Sequence, residues 1–265
     1  LVDALLARVP YVFYGGVIVL AVAELAAPRR VGRVPTGRRW STNIGLFVCS
    51  LLVQRFLLPV SALLAAEGAR RSGFGLLNLL EWTNGWGAAL LAVAALDLWR
   101  YFEHRVLHAV PLLWRLHVTH HSDVEVDFTT TERHHPFESI VAALTIIAPI
   151  VLLGIPPLAI ALYVLVASAV ALFSHANIRL PERVERAGGL LIVTPGVHHV
   201  HHSSSRPETN SNYGTILTVW DRMFGTYREP GGAREAARVL GLEYFRDSNS
   251  ARIDRVLCQP FLSMK

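Results

Sequence analysis

All twelve histidines of this 265-residue chain fall between His104 and His202, in a sequence otherwise rich in Leu, Ala and Val. His104 and His108 are four apart; His117, His120 and His121 follow, and His198, His201 and His202 repeat that second spacing. Residues four apart share a helix face, so the HRVLH pair can converge on one ion. Successive helical residues turn by about 100°, so His120 and His121 cannot easily aim at one point. The pattern suits two metal ions better than one. A closed structural zinc site uses four ligands, fewer than these clusters offer, and imidazole serves Zn, Fe, Cu and Ni alike.

The surroundings of the histidines are apolar. A hydrophobic fraction of 52% and a mean hydropathy of +0.38 exceed those of an ordinary soluble domain and favour a polytopic membrane protein. The formal charge of +5 comes almost wholly from Arg in short loops, with one Lys at position 265. Juxtamembrane Arg clusters fit membrane orientation and anionic lipid, whereas a nucleic-acid surface would need a continuous basic stripe, so no nucleic-acid partner is expected. With only Cys49 and Cys258, neither a disulfide framework nor a thiolate metal site can be built. The opening residues lack the basic region and cleavage site of a signal peptide.

Apolar runs extend over about residues 10–27, 44–66, 86–98, 140–153 and 155–173. The second is broken by Gln54, Arg55 and Pro59 and reads as a kinked span or a re-entrant pair. The last two are joined by Gly154, Pro156 and Pro157 and read as a tight membrane hairpin. If the loop holding Arg29, Arg30, Arg33, Arg38 and Arg39 is cytoplasmic, alternation puts the Arg70 loop outside and everything after Trp99 inside. The expected fold is all-α: a multi-pass integral-membrane bundle of about four spans, or a mix of spans and re-entrant helices, with a cytosolic histidine-rich helical cap. Residues 1–265 read as one domain, with a catalytic core over about 97–227 and an amphipathic tail over about 228–265, where Ile253, Val256 and Leu257 stand at helical spacing. Trp82, Trp86, Trp99 and Trp114 sit at run ends and read as interface anchors; Asn210, Asn212 and Tyr213 read as a polar turn.

The three histidine boxes, HxxxH, HxxHH and HxxHH, together with TTERHHPFE, FSHAN, NYG and WDRMFGTY, resemble the fatty acid hydroxylase and sterol desaturase superfamily of membrane di-iron oxygenases. That resemblance covers roughly residues 97–227. It implies iron ligation by His104, His108, His117, His120, His121, His198, His201 and His202, with His175 as a ninth ligand and His135 as a tenth. His134 has no clear counterpart and reads as a surface residue, and His199 stays outside the ligand set. Neutral imidazoles leave the charge of iron uncompensated, so carboxylates accepting the outer ring N–H are expected; Glu103, Asp123, Asp127, Glu132, Glu138 and Asp221 are the candidates.

The implied activity is hydroxylation or desaturation of an unactivated C–H bond of a lipid. It uses two Fe ions, O2 and electrons from a separate reductase, ferredoxin or cytochrome. Two other classes compete. A metal transporter or storage protein would line the spans themselves with ligands, and a zinc hydrolase of the HExxH kind would need Glu where Arg105 stands.

Overall fold

A computed structural model of the chain describes residues 4, 7–32, 34–57, 61–82, 85–231 and 238–264. Arg33, Pro59 and Lys265 lie outside the described residues. Among the described residues there is no β-strand, only three isolated bridges.

The first half of the fold comprises α1 (Val9–Ala26), α2 (Thr36–Leu57), α3 (Ala62–Ser72) and α4 (Trp86–Ala109). After them come α5 (Pro111–His121), α6 (Pro136–Thr145), α7 (Ile147–Leu153) and α8 (Pro157–His175). The last quarter is shorter-grained, with α9 (Glu182–Gly188), α10 (Pro195–His201), α11 (Val219–Met223) and α12 (Ile253–Cys258). Proline fixes several starts: Pro111, Pro136, Pro157 and Pro195 each occupy the first helical position, where the missing N–H costs nothing and φ is already helical. Thr194 caps α10 by accepting the Val197 N–H.

The interrupted second run resolves into two helices, α2 ending at Leu57 and α3 starting behind the Ser61 cap. The stretches Pro136–Leu153 and Pro157–His175 are long and apolar enough to cross a membrane. Only 28% and 33% of these stretches are buried inside the protein, far less than a helix at the centre of a soluble core would be. Much of the apolar surface of α1 and α2 also faces outward, including Ile18, Val22, Leu25, Leu52 and Phe56. Exposed apolar surface on this scale calls for a non-aqueous neighbour.

At the hairpin tip Gly154 adopts φ 66° and Gly75 φ 103°. A Cβ on Gly75 would stand 2.3 Å from the Gly154 backbone nitrogen, so the two turns touch through their main chains as only glycine permits.

Small residues let the helices approach closely. Ala89 and Ala92 of α4, Ala66 of α3 and Ala159 of α8 join Leu96, Ile150, Ile155 and Ile160 in one buried cluster. Helix α8 is the hub: it packs on α1, α4 and α10, bringing the end of an apolar helix beside the histidine-bearing one. The tail returns to the cap. Arg115 donates to the carbonyls of Pro260 and Leu262, and the Gly241 N–H donates to the His202 carbonyl.

Candidate metal centre

The histidines converge from four helices into two groups. His104, His108, His117, His121 and His201 form one; His120, His175, His198 and His202 form the other, and within each group one nitrogen from every ring lies within 4.8 Å of the others. The adjacent pairs His120/His121 and His201/His202 split between the groups, as the turn between successive helical residues requires. Nearly all of these rings are buried.

Which nitrogen faces inward is set by what the other one does. The Nδ1 of His104 lies 2.9 Å from the Tyr213 carbonyl, that of His201 2.7 Å from the Ser211 carbonyl, and that of His175 2.8 Å from the Ala171 carbonyl. Carbonyls only accept, so each of these Nδ1 atoms carries the proton and each Nε2 is left with a bare lone pair. His117 is fixed likewise, its Nδ1 donating to Glu138 at 2.8 Å. Yet the Nε2 atoms of His104 and His117 are 3.2 Å apart, and the Nε2 of His175 stands 3.2 Å from that of His120 and 2.9 Å from that of His198. His108 and His201 bury an Nε2, and His121 both ring nitrogens, without a hydrogen-bond partner. The bare lone pairs of His104 and His117 repel unless a cation lies between them. Two nitrogens at right angles about an ion ~2.1 Å away are ~3.0 Å apart, so the observed spacings suit metal ligation. Burial, and then the neighbouring imidazoles, push His120, His121, His198, His201 and His202 well below the ordinary histidine value, which keeps them neutral and ready to ligate.

The outer partners differ from the expected set of acids. Among the six carboxylates only Glu138 touches ring nitrogens, accepting from His117 and, at 3.0 Å, from His134. Asp221 acts one step removed: it accepts the N–H groups of Tyr213 and Gly214, both at 2.8 Å, and so holds the loop whose carbonyl orients His104. Asp123 and Asp127 instead grip Arg39 of α2, at 2.9 and 2.8 Å. Burial opposes the ionised Asp123, but the Arg39 and Arg133 charges outweigh it and hold its carboxyl well below the usual range. Glu103 pairs with Arg100 and Thr145, and half-buried Glu132 makes no hydrogen bond to a histidine among the described residues. Neutral carbonyls replace acids because they accept an N–H without adding a buried charge.

That carbonyl platform is the segment read as a simple polar turn. Asn212 sits at φ 53°, a left-handed conformation that asparagine tolerates, and its side chain donates to the Val197 and Arg228 carbonyls, both at 2.9 Å. Bent there, the chain presents the carbonyls of Ser211 and Tyr213 to His201 and His104. Asn210 Oδ1 stands 3.2 Å from the Nδ1 of His108. Asp97 braces the following residues, taking the N–H groups of Ile216 and Leu217 and the indole N–H of Trp220.

Three further sequence readings, those of His135, His134 and Trp114, change. His135 belongs to neither group: its Nδ1 accepts the Phe137 N–H as the cap of α6 and its Nε2 faces the Leu257 carbonyl, so both nitrogens are engaged away from the centre. His134 is no bystander, since its ring stacks on His120 with centroids 4.4 Å apart and planes 8° apart. His199 is fully buried, outside both groups, with Nε2 3.4 Å from the His175 carbonyl. Trp114 packs on His108 and His121 and reaches the Tyr244 hydroxyl, so it walls the centre instead of anchoring at a lipid interface.

A cavity of about 410 Å³ opens beside the two groups, lined by His104, His117, His120, His175 and His198 on one side and by Ala142, Ala143, Tyr163 and Ala171 on the other. Its size suits a small molecule or part of a lipid.

Over residues 89–226 the chain matches the fatty acid hydroxylase family. It is 32% identical over 155 residues to an ornithine lipid hydroxylase of Rhizobium tropici, a match covering 56% of this chain and 45% of that protein. Alkylglycerol monooxygenase of Homo sapiens is 30% identical over 148 residues, covering 55% and 31%. Methylsterol monooxygenase 1 of Rattus norvegicus is 26% identical over 152 residues, covering 55% and 48%. The chain thus spans less than half the length of the curated relatives it matches. No solved structure matches it. With the family match running through all three boxes and the NYG loop that orients them, this chain belongs to the fatty acid hydroxylase family.

Proposed function

We propose that this chain is a membrane-embedded lipid oxygenase holding two iron ions. One ion is bound by His104, His108, His117, His121 and His201, the other by His120, His175, His198 and His202. The observation that carries this reading is the facing of the unprotonated Nε2 atoms of His104 and His117, with the Nε2 of His175 close against those of His120 and His198. When bound, such a pair supplies O2 activation and attack on an unactivated C–H bond.

The chain's own residues do the rest. Glu138, the carbonyls of Ala171, Ser211 and Tyr213, and Asn210 fix ring orientation and tautomer. The apolar walls contributed by α6 and α8 admit a lipid segment and exclude water. Hydroxylation balances as one oxygen atom inserted into C–H and the other released as water with two protons and two electrons. The electrons come from a separate carrier, a reductase, ferredoxin or cytochrome. The arginine loop supports the proposed sidedness: Arg39 bonds Asp123 and Asp127, and the Arg29 N–H donates to the Asn177 carbonyl, so loop and metal centre share one side. By the positive-inside rule that side is cytoplasmic, beneath a multi-pass bundle in which α1, α2 and α4 join the two apolar stretches, residues 1–265 acting as one unit.

Metal analysis of protein purified under iron-replete conditions tests the reading. Two irons per chain and O2-dependent addition of one oxygen to, or loss of two hydrogens from, a cellular lipid are expected; a single zinc with hydrolytic turnover overturns it.

A further inference from the structure

The cavity beside the histidines is not a plain hydrocarbon slot. Arg100 and Glu103, successive one-turn neighbours on α4, both line it. They form an ion pair at 2.5 Å, with side-chain exposures of 25% and 8%. Thr145 of α6 donates to the second Glu103 oxygen at 2.6 Å, which fixes the carboxylate in place. The metal centre uses neither residue. Charged side chains buried to this extent beside apolar helices are costly and often mark a pathway or a substrate.

We propose that the Arg100–Glu103 pair receives the head group of a zwitterionic lipid, its carboxylate meeting Arg100 and its ammonium meeting Glu103, and so places the oxidised carbon in or beside that head group. The proposal rests on the lipid-oxygenase reading and names the substrate class of that site. Charge balance selects the class. The pair is neutral as a unit, so an acidic head alone that meets Arg100 is left against the neighbouring Glu103 carboxylate with no cation of its own to face it. An acyl chain pressed against the pair strips its remaining water and returns no hydrogen bond. A neutral diol returns only the weaker bonds of uncharged partners. A zwitterion completes an alternating set of four charges with no net charge added.

Position follows from helix geometry. Arg100 precedes His104 by four residues, which is about 6 Å along the axis. A head group held there lies one turn from a ring of the five-histidine group, too close for attack far down the hydrocarbon tail. The reaction stays as balanced above, with the C–H bond belonging to the head group or its first carbons.

Three probes of equal chain length test this in nanodiscs holding the metal-loaded protein: Nε-dodecanoyl-lysine (zwitterion), N-dodecanoyl-glycine (anion) and 1-O-dodecylglycerol (neutral). The zwitterion is expected to bind at least about tenfold tighter than either of the others. Arg100→Gln and Glu103→Gln should each erase that preference while changing dodecylglycerol binding less than about twofold. Equal binding of the three probes, or an unchanged preference in both variants, overturns the proposal. Metal content and thermal melting check that the variants fold, and the ranking on the unaltered protein decides without any variant. In turnover with an electron donor, fragmentation should place the new oxygen in the lysine portion, and oxygen near the chain end overturns the positional part. If no probe gains oxygen, the oxygenase reading falls while the binding ranking still decides recognition.

Discussion

His175 and His198 face each other nitrogen to nitrogen at 2.9 Å, although one ends α8 and the other stands within α10, 23 residues later. Each belongs to the four-histidine group alone. Replacing either by Ala should therefore drop iron from about two per chain to about one, because the five-histidine group keeps its full set. Elemental analysis reads this directly, and an unchanged iron content in both variants contradicts the assignment.

Glu138 takes N–H groups from His117 and His134 on one carboxylate oxygen. Glu138→Gln preserves shape but removes the charge, and a loss of this kind lowers metal affinity by about 10- to 100-fold. Chelator competition at equilibrium measures it. Equal affinity of variant and parent removes Glu138 from the support of the centre.

Asp97 accepts three N–H groups, from Ile216, Leu217 and the Trp220 ring. Asn offers one oxygen and turns an NH2 toward donors, so Asp97→Asn should cost about 2 kcal/mol or more. The loop it braces should loosen with it. Thermal melting together with proteolysis near residues 210–220 tests both, and a variant as stable and as resistant as the parent refutes the bracing role.

His135 and His199 separate capping and packing from ligation. His135→Asn, which keeps a capping side chain on α6, should leave metal content unchanged. His199→Ala should also keep the metal but lose on the order of 1–3 kcal/mol, since a fully buried ring is removed. Loss of one iron in either variant would move that residue into the ligand set.

The metal-free protein should weaken in acid. Burial lowers the folded-state values of His120, His121, His198, His201 and His202. Below the ordinary histidine value of about 6.5 the unfolded chain therefore binds more protons than the folded one. Stability is fully present above that value and falls as pH drops beneath it, by up to ~1.4 kcal/mol per pH unit for each such histidine. Melting temperatures of chelator-treated protein in detergent between pH 8 and 5 should decline accordingly; a flat profile indicates that these rings are not buried together.

Local spacing made the candidate metal centre legible. Helical turn geometry alone implied that His120 and His121 must serve different points, and the structure separates them in that way, with His201 and His202 split likewise. The apolar runs likewise marked the hairpin, since length and polarity are properties of contiguous residues. The outer support was not legible. Five of the six acids chosen for nearness in sequence form no hydrogen bond to an imidazole, because nearness in sequence does not fix direction: Asp123 and Asp127 turn to Arg39, more than 80 residues earlier.

What the sequence by itself determined was which residue types meet on one helix face, and so the chemistry on offer: imidazole donors beside apolar spans. Only the tertiary structure decided which nitrogen carries the proton in His104, His117, His175 and His201. That choice depends on carbonyls and a carboxylate brought up from distant segments, such as Tyr213 against His104 and Glu138 against His117. A hydrogen bond is directional and short-ranged, so it is fixed by packing in three dimensions and leaves no periodic trace along the chain.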